Sequence, residues 1–222
     1  VFADACARTG ARLHKADFDG IHLKHADFTG QVFDLGARKD LEIPLLGEHQ
    51  LKNAAVVVAT VDALTAKGWK ISEEQLRRGL KTVSWPGRFE RVRRDPWLII
   101  DGGHNPQCAQ AIAASLREYF PGKKILFLMG VLADKDFEGI YDALLPLAER
   151  IYAVTPDSPR ALTADKLCER LADEYHFTAA KPYGSVADAL KAVLAEAGEK
   201  DVICVCGSLY MIGEARRELG LR

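Results

Sequence analysis

The sequence predicts an α/β protein built on a mostly parallel sheet, and three observations carry that expectation. From residue 97 onward, apolar runs of strand length alternate with helical patterns, the rhythm of βαβ units. The run Leu98-Ile99-Ile100 stops abruptly at Asp101-Gly102-Gly103-His104-Asn105-Pro106, which reads as a strand-to-helix turn with an N-cap asparagine and a proline at the first helical position. Before residue 85 the pattern is different, and Trp85-Pro86-Gly87 separates the two styles. The expected division is a smaller domain over 1–86 and a parallel-sheet domain over 87–222.

In chain order, a helix is expected from the first residues to Gly10, followed by short strands over 12–17, 21–25, 31–35 and 41–46. Asp19-Gly20, Thr29-Gly30 and Arg38-Lys39-Asp40 separate them as turn or loop signals. Residues 47–67 form a long helical pattern with a broad apolar stripe and few charges, closed by Gly68, so this helix is expected to be buried. Ser72-Glu73-Glu74-Gln75 is a capping box that opens a further helix to about Thr82. Beyond the break, residues 89–93 read as an antiparallel edge strand, and strands are expected at 97–100, 125–129, 151–154, 177–180 and 202–206. Helices are expected near 106–119, 137–148, 163–175, 186–197 and 209–219. Ala109, Ile112, Ala113, Leu116 and Phe120 recur at helical spacing, so the first of these buries one face.

A chain of 222 residues is long enough to bury roughly 70% of its unfolded surface without staples. A formal net charge of −1, with both signs interspersed, leaves no basic footprint for nucleic acid or an anionic membrane. The apolar runs are too short to cross a bilayer. Four of the five cysteines fall in expected helices or a strand, as reduced thiols do, which suits the cytoplasm. Cys204 and Cys206 share one face of a strand but lack a second pair at zinc-site spacing, and His14, His22 and His25 lack a carboxylate cluster, so no metal site is expected. The chain opens without methionine on what looks like a helix interior, which reads as a piece of something longer.

In a parallel sheet the turns after the strands share one edge, where open α/β sheets bind ligands. That places Asp101 and His104, then Gly130, Asp134, Lys135 and Asp136, then Thr155, Asp157, Ser158 and Arg160, then Gly207 and Ser208 along one rim. A strand-end carboxylate accepts from ribose hydroxyls or an ammonium, Lys135 neutralises a phosphate or carboxylate, and Gly207-Ser208 at a helix start offers N–H groups and a hydroxyl to an anion. Each has a structural alternative, Ser208, Asp134 and Asp136 as helix caps and Lys135 as a solvated loop charge, and taken singly Lys135 and Ser158 read as structural. Arg88 stands at the domain break, where a guanidinium reaches a phosphate; in isolation it reads as a surface ion-pair partner. His49 and Asn53 share a face at a helix N-terminus, which suits a polar ligand or local capping. Neither G-x-x-x-x-G-K-[ST] nor G-x-G-x-x-G occurs, so the chain carries no triphosphate cradle or dinucleotide fingerprint of its own.

Five motifs taken together resemble bacterial folylpolyglutamate synthase/dihydrofolate synthase, in the Mur ligase superfamily. They are Gly47-Glu48-His49-Gln50-Leu51-Lys52-Asn53-Ala54, Trp85-Pro86-Gly87-Arg88-Phe89-Glu90, Asp101-Gly102-Gly103-His104-Asn105-Pro106, Gly130-Val131-Leu132-Ala133-Asp134-Lys135-Asp136 and Cys206-Gly207-Ser208-Leu209-Tyr210. Gly103 departs from the alanine common in that family. The resemblance spans nearly the whole chain but only the later part of the enzyme. It implies a Rossmann-like C-terminal ligase domain preceded by the remaining part of a central ATPase domain. It further implies an ATP-dependent acid–amino-acid ligase, in which a folate carboxylate is phosphorylated and the acyl phosphate is attacked by the amine of L-glutamate.

Carried over by motif, Asn53, Arg88 and Asp101 are the implied ATP contacts, with Asn53 near the adenine and Arg88 near the phosphates. His104, Ser208 and Lys135 are implied to hold the glutamate, with Asp101 and His104 as the catalytic pair. ATP and magnesium serve the whole enzyme, whose phosphate loop and metal ligands precede Val1, so this chain alone is expected to be inactive. The implied partners are small molecules, with no nucleic acid or membrane, and the implied state is a monomer. Two other readings stay open: a ligase for cell-wall nucleotide precursors, and a binding module that kept the fold without catalysis.

Overall fold

The computed structural model describes residues 1–221, in two compact units that divide between Ser84 and Trp85. The first unit opens with α1 (Phe2–Thr9), ended by Gly10 in the left-handed region at φ 70°. A three-stranded antiparallel sheet follows, in the order β1 (Ile21–Asp27), β2 (Gly30–Leu35) and β3 (Arg38–Ile43). The strand expected over 12–17 is absent: residues 11–17 have no regular structure and are mostly exposed, so no partner strand satisfies their backbone. His14 lies in this irregular segment, whereas His25 pairs with Asp27 at 3.0 Å.

Helix α2 (Glu48–Ala66) is longer than the strands it packs on, and it is buried on one face only. Leu51, Ala54, Ala55 and Val58 join Phe33, Leu41 and Ile43 in the core of this unit, while Val56 and Val57 are about half exposed. The expectation of a buried helix is thus met along one stripe only. Helix α3 (Glu73–Thr82) begins at the capping box: the Ser72 hydroxyl accepts from Gln75 N, and the Gln75 side chain accepts from Ser72 N. Leu76 and Leu80 add its apolar face to the same core.

The second unit is a six-stranded sheet in the order β4-β5-β9-β6-β7-β8. The edge strand β4 (Glu90–Arg93) is antiparallel to β5 (Trp97–Ile100). β9 (Val202–Cys206), β6 (Ile125–Met129), β7 (Ala148–Ala153) and β8 (Ala180–Pro182) continue the sheet in parallel. The strand expected over 177–180 begins only at Ala180. His176 ends the preceding helix in the left-handed conformation, and residues 177–179 connect the two. Helices α4 (Pro106–Tyr119), α5 (Phe137–Leu144), α6 (Ala164–Tyr175), α7 (Val186–Glu196) and α8 (Leu209–Glu218) complete the unit. A short 3₁₀ turn at Leu145–Leu147 ends α5 earlier than its apolar pattern suggested, where Pro146 cannot continue the helix.

Continuous apolar runs in the strands mean that both faces of the sheet must be covered. Leu98, Ile100, Leu126, Leu128, Ile203 and Val205 meet α7 and α8 through Val186, Leu190, Met211 and Ile212. The alternating residues Ile99, Phe127 and Cys204, all 0% exposed, point the other way by the two-residue period of a strand. The buried stripe of α4, from Ala109 through Ile112 to Leu116, belongs to the opposite layer. No helix among the described residues is long and apolar enough to cross a membrane.

Candidate functional site

The carboxyl ends of β5, β9 and β6 adjoin because the register pairs Ile100 with Val205 and Met129 with Cys206. The turns leaving these strands are therefore neighbours in space, although they are far apart in sequence. Backbone hydrogen bonds join them, from Asp101 N to Val205 O at 2.9 Å and from Gly207 N to Gly103 O at 3.0 Å. Gly207 has φ 107°, and a Cβ there would lie 2.6 Å from the carbonyl oxygen of Gly130. Only glycine allows that approach.

Asp101 is 5% exposed and both of its oxygens are engaged. Oδ2 accepts from Phe89 N at 2.8 Å and Oδ1 accepts from Gly103 N at 2.7 Å, as an ionised carboxylate does. Burial pushes its pKa up, opposed by the two N–H groups and by the Arg88 guanidinium. Phe89, with its ring buried, is held at φ 43°. A non-glycine residue keeps that conformation only where its surroundings impose it.

Arg88 is thereby fixed between Gly87 and Phe89, half-buried, with no ion pair within 4.0 Å among the described residues. It lies against Gly102, where an added Cβ would sit 3.1 Å from a guanidinium nitrogen and 2.4 Å from Leu209. The surface ion-pair reading of Arg88 is not what the fold contains. A nearby arginine that does form an ion pair is Arg216 on α8, which meets Glu90.

His104 places Nδ1 2.9 Å from the carbonyl oxygen of Gly102. A carbonyl only accepts, so Nδ1 carries a proton, and in the neutral imidazole Nε2 then presents a lone pair. Asn105 caps α4, its Oδ1 accepting from Cys108 N at 2.9 Å. Ser208 precedes α8 without capping it: its hydroxyl is buried and has no hydrogen-bond partner among the described residues. An unsatisfied buried polar group costs about 1–3 kcal/mol, so this hydroxyl and the free N–H groups of the α8 N-terminus favour an anionic or polar ligand.

The turns after β6 and β7 are largely committed to structure. Asp136 caps α5 by accepting from Gly139 N at 3.0 Å, and Asp134 pairs with Arg160 at 2.7 Å. The Thr155 hydroxyl accepts from Ala164 N at 3.0 Å, and Ser158 Oγ accepts from Arg160 N at 3.3 Å. Lys135 alone of this group keeps a half-buried side chain without an ion pair among the described residues.

In the first unit, the residues singled out at the start of α2 form a hydrogen-bonded chain. Gln50 Nε2 donates to His49 Nε2 at 3.1 Å, and Asn53 Nδ2 donates to Gln50 Oε1 at 3.0 Å. Sequence reasoning missed Gln31, which is 1% exposed and donates to Leu45 O at 2.7 Å and Gly47 O at 3.1 Å. It secures the loop that enters α2. A glutamine in a strand gives no local sign of such a role.

No group of three His, Cys, Asp or Glu converges among the described residues, and the one buried carboxylate at the strand ends has both oxygens on backbone N–H groups. The donor set here does not fit a divalent cation.

Residues 87–209 match the family described as "Mur ligase, glutamate ligase domain". The chain belongs to the Mur ligase family. It is 31% identical over 231 residues to the folylpolyglutamate synthase of Lacticaseibacillus casei, covering 99% of this chain and 51% of that protein. The Mycobacterium tuberculosis folylpolyglutamate synthase complexed with ADP and AMPPCP superposes with a TM-score of 0.86 at 28% identity, over 100% of this chain and 52% of that one. A bifunctional folylpolyglutamate synthase/dihydrofolate synthase with Mn, AMPPNP and L-glutamate bound gives a TM-score of 0.77 at 27% identity, over 99% and 50%. This Mur ligase-family chain thus spans about half the length of these relatives. The mostly parallel sheet expected from the sequence is the one found, within the family domain.

Proposed function

We propose that this chain supplies the amino-acid side, and part of the nucleotide side, of an ATP-dependent ligase that adds L-glutamate to dihydropteroate or folate. In that reaction the substrate carboxylate takes the γ-phosphoryl group of ATP, releasing ADP. The glutamate amine then attacks the acyl carbon and phosphate leaves, with the ammonium proton passing to a base. The observation that carries this reading is one rim of the second unit: a guanidinium at Arg88 without an ion pair, the His104 ring held through Nδ1 on Gly102 O, and a buried unpartnered hydroxyl at Ser208, all among the described residues. The relatives with nucleotides and with L-glutamate bound support the same chemistry.

Each residue is given a role that its chemistry supports. Arg88 contacts phosphate as a planar, permanently charged donor. His104 Nε2 accepts from the glutamate ammonium and orients it toward the acyl carbon. Ser208 and the α8 N-terminus take a glutamate carboxylate, and Lys135 is a second cation for it. Asp101 acts as a positioning residue, because its oxygens hold the backbone that carries Arg88 and His104. Asn53, on the first unit, reads the adenine edge with its amide.

This chain by itself lacks a phosphate loop and is proposed to be inactive, acting on small molecules within the longer enzyme, as a monomer in the cytoplasm. In that complete enzyme, Arg88→Ala lowers kcat/KM for ATP by about 2–4 kcal/mol, the scale of losing one preorganised charge contact. Glutamate-dependent ADP release measures it, and an unchanged value returns Arg88 to a structural role. Folate- and glutamate-dependent ADP release from the isolated chain would refute its inactivity.

A further inference from the structure

The segment 86–90 carries Arg88 on a turn with little intrinsic reason to hold one shape. Gly87 has φ 71°, and the next residue but one, Phe89, is left-handed without being glycine. Four contacts from sequence-distant elements and from the turn itself fix it. Gly102 N donates to Gly87 O at 2.8 Å, and Phe89 N donates to Asp101 Oδ2 at 2.8 Å. Gly87 packs so closely on α8 that an added Cβ would lie 2.6 Å from Ile212. The fourth contact is Glu90, whose Oε2 accepts from Gly87 N at 2.8 Å and also from the Arg216 guanidinium.

We propose that Arg216 and Glu90 form a positioning pair that sets the direction of Arg88. One carboxylate oxygen closes the turn by accepting from Gly87 N, and Arg216 holds that oxygen in place from α8. Their side chains are only 13% and 25% exposed, so solvent screens the interaction less than at an open surface. Because Ser208 immediately precedes α8, one end of this helix carries the hydroxyl and the other anchors the arginine turn. Arg216 acts through Arg88 and does not itself touch a ligand.

The inference rests on the phosphate role proposed above for Arg88, and the test separates the two. In the full-length enzyme, Arg216→Met is expected to lower kcat/KM for ATP about tenfold, mainly through KM, with Arg216→Lys restoring most of the loss. The double variant Arg88→Ala/Arg216→Met is expected to be no worse than Arg88→Ala alone, because the pair acts through that guanidinium. If Arg216→Met does not fold, Glu90→Gln reads the same coupling, since it keeps an acceptor for Gly87 N and removes the charge that meets Arg216. An unaffected Arg216→Met or Glu90→Gln beside an impaired Arg88→Ala overturns this inference alone, as do two losses that simply multiply. An unaffected Arg88→Ala overturns the phosphate role and this inference with it.

Discussion

Gly207→Ala tests whether the site depends on the close approach of two strand ends. The substitution puts an L residue at φ 107°, a conformation that costs on the order of 1–3 kcal/mol. Its Cβ would meet only backbone, 2.6 Å from Gly130 O and 3.4 Å from Gly130 C, so no side-chain rotation relieves the overlap. Gly130 has little room to retreat, because its own Cβ direction faces Val154 O at 2.6 Å and Pro156 at 2.9 Å. Overpacking of this kind adds about 1–3 kcal/mol, and the reduced freedom of the unfolded chain offsets about 0.4–1 kcal/mol. The net expectation is a loss of about 1–5.6 kcal/mol in the second unit. Gly213→Ala is the matched control: it is exposed within α8, nothing lies within 4 Å of the new methyl, and helix propensity predicts a gain of up to about 1 kcal/mol. Hydrogen exchange of the β9 amides in increasing urea reports on this unit without interference from the first. A Gly207→Ala variant within about 0.5 kcal/mol of the parent, well inside the effect expected from overpacking, would refute the argument.

Two further outcomes follow from burial of titratable groups. Burial raises the Asp101 pKa in the folded state, so between the ordinary Asp value and that raised value the native state binds more protons than the unfolded one. Stability relative to Asp101→Asn therefore falls as pH rises from about 4, and a pH-independent difference in urea midpoints contradicts the assignment. Burial and the nearby Asp165 push the Cys168 thiol up to about 11. Alkylation of Cys168 at mildly alkaline pH is then expected to be about a hundredfold slower than that of a free thiol, and labelling at the free-thiol rate is the contrary result.

Much of the fold was legible because its signals are local. The run Val202–Cys206 has only buried side chains, so it reads as a central strand from composition alone. The cap at Asn105 and the capping box at Ser72 are satisfied by neighbours three residues away, which is why they were readable. Residues 12–17 were misread because alternation signals a strand only if a partner strand exists, and none reaches them. The half-exposed Val56 and Val57 likewise show that an apolar stripe does not say how much of itself will be covered.

By itself the sequence determined the alternating architecture, the strand-to-helix turns, and the residue types gathered at strand ends, because each depends on side-chain periodicity and on contacts a few residues long. Only the tertiary structure decided what those residues do there. Strand order put the turn of Asp101 beside that of Gly207, long-range hydrogen bonds spent both oxygens of Asp101 on backbone, and burial left the Ser208 hydroxyl without a partner among the described residues. Arg88 and Arg216 are the same residue type, and the motif around Arg88 does not say which of the two meets a carboxylate. Which one is paired was settled by the position of Glu90, a group 126 residues from the arginine it meets.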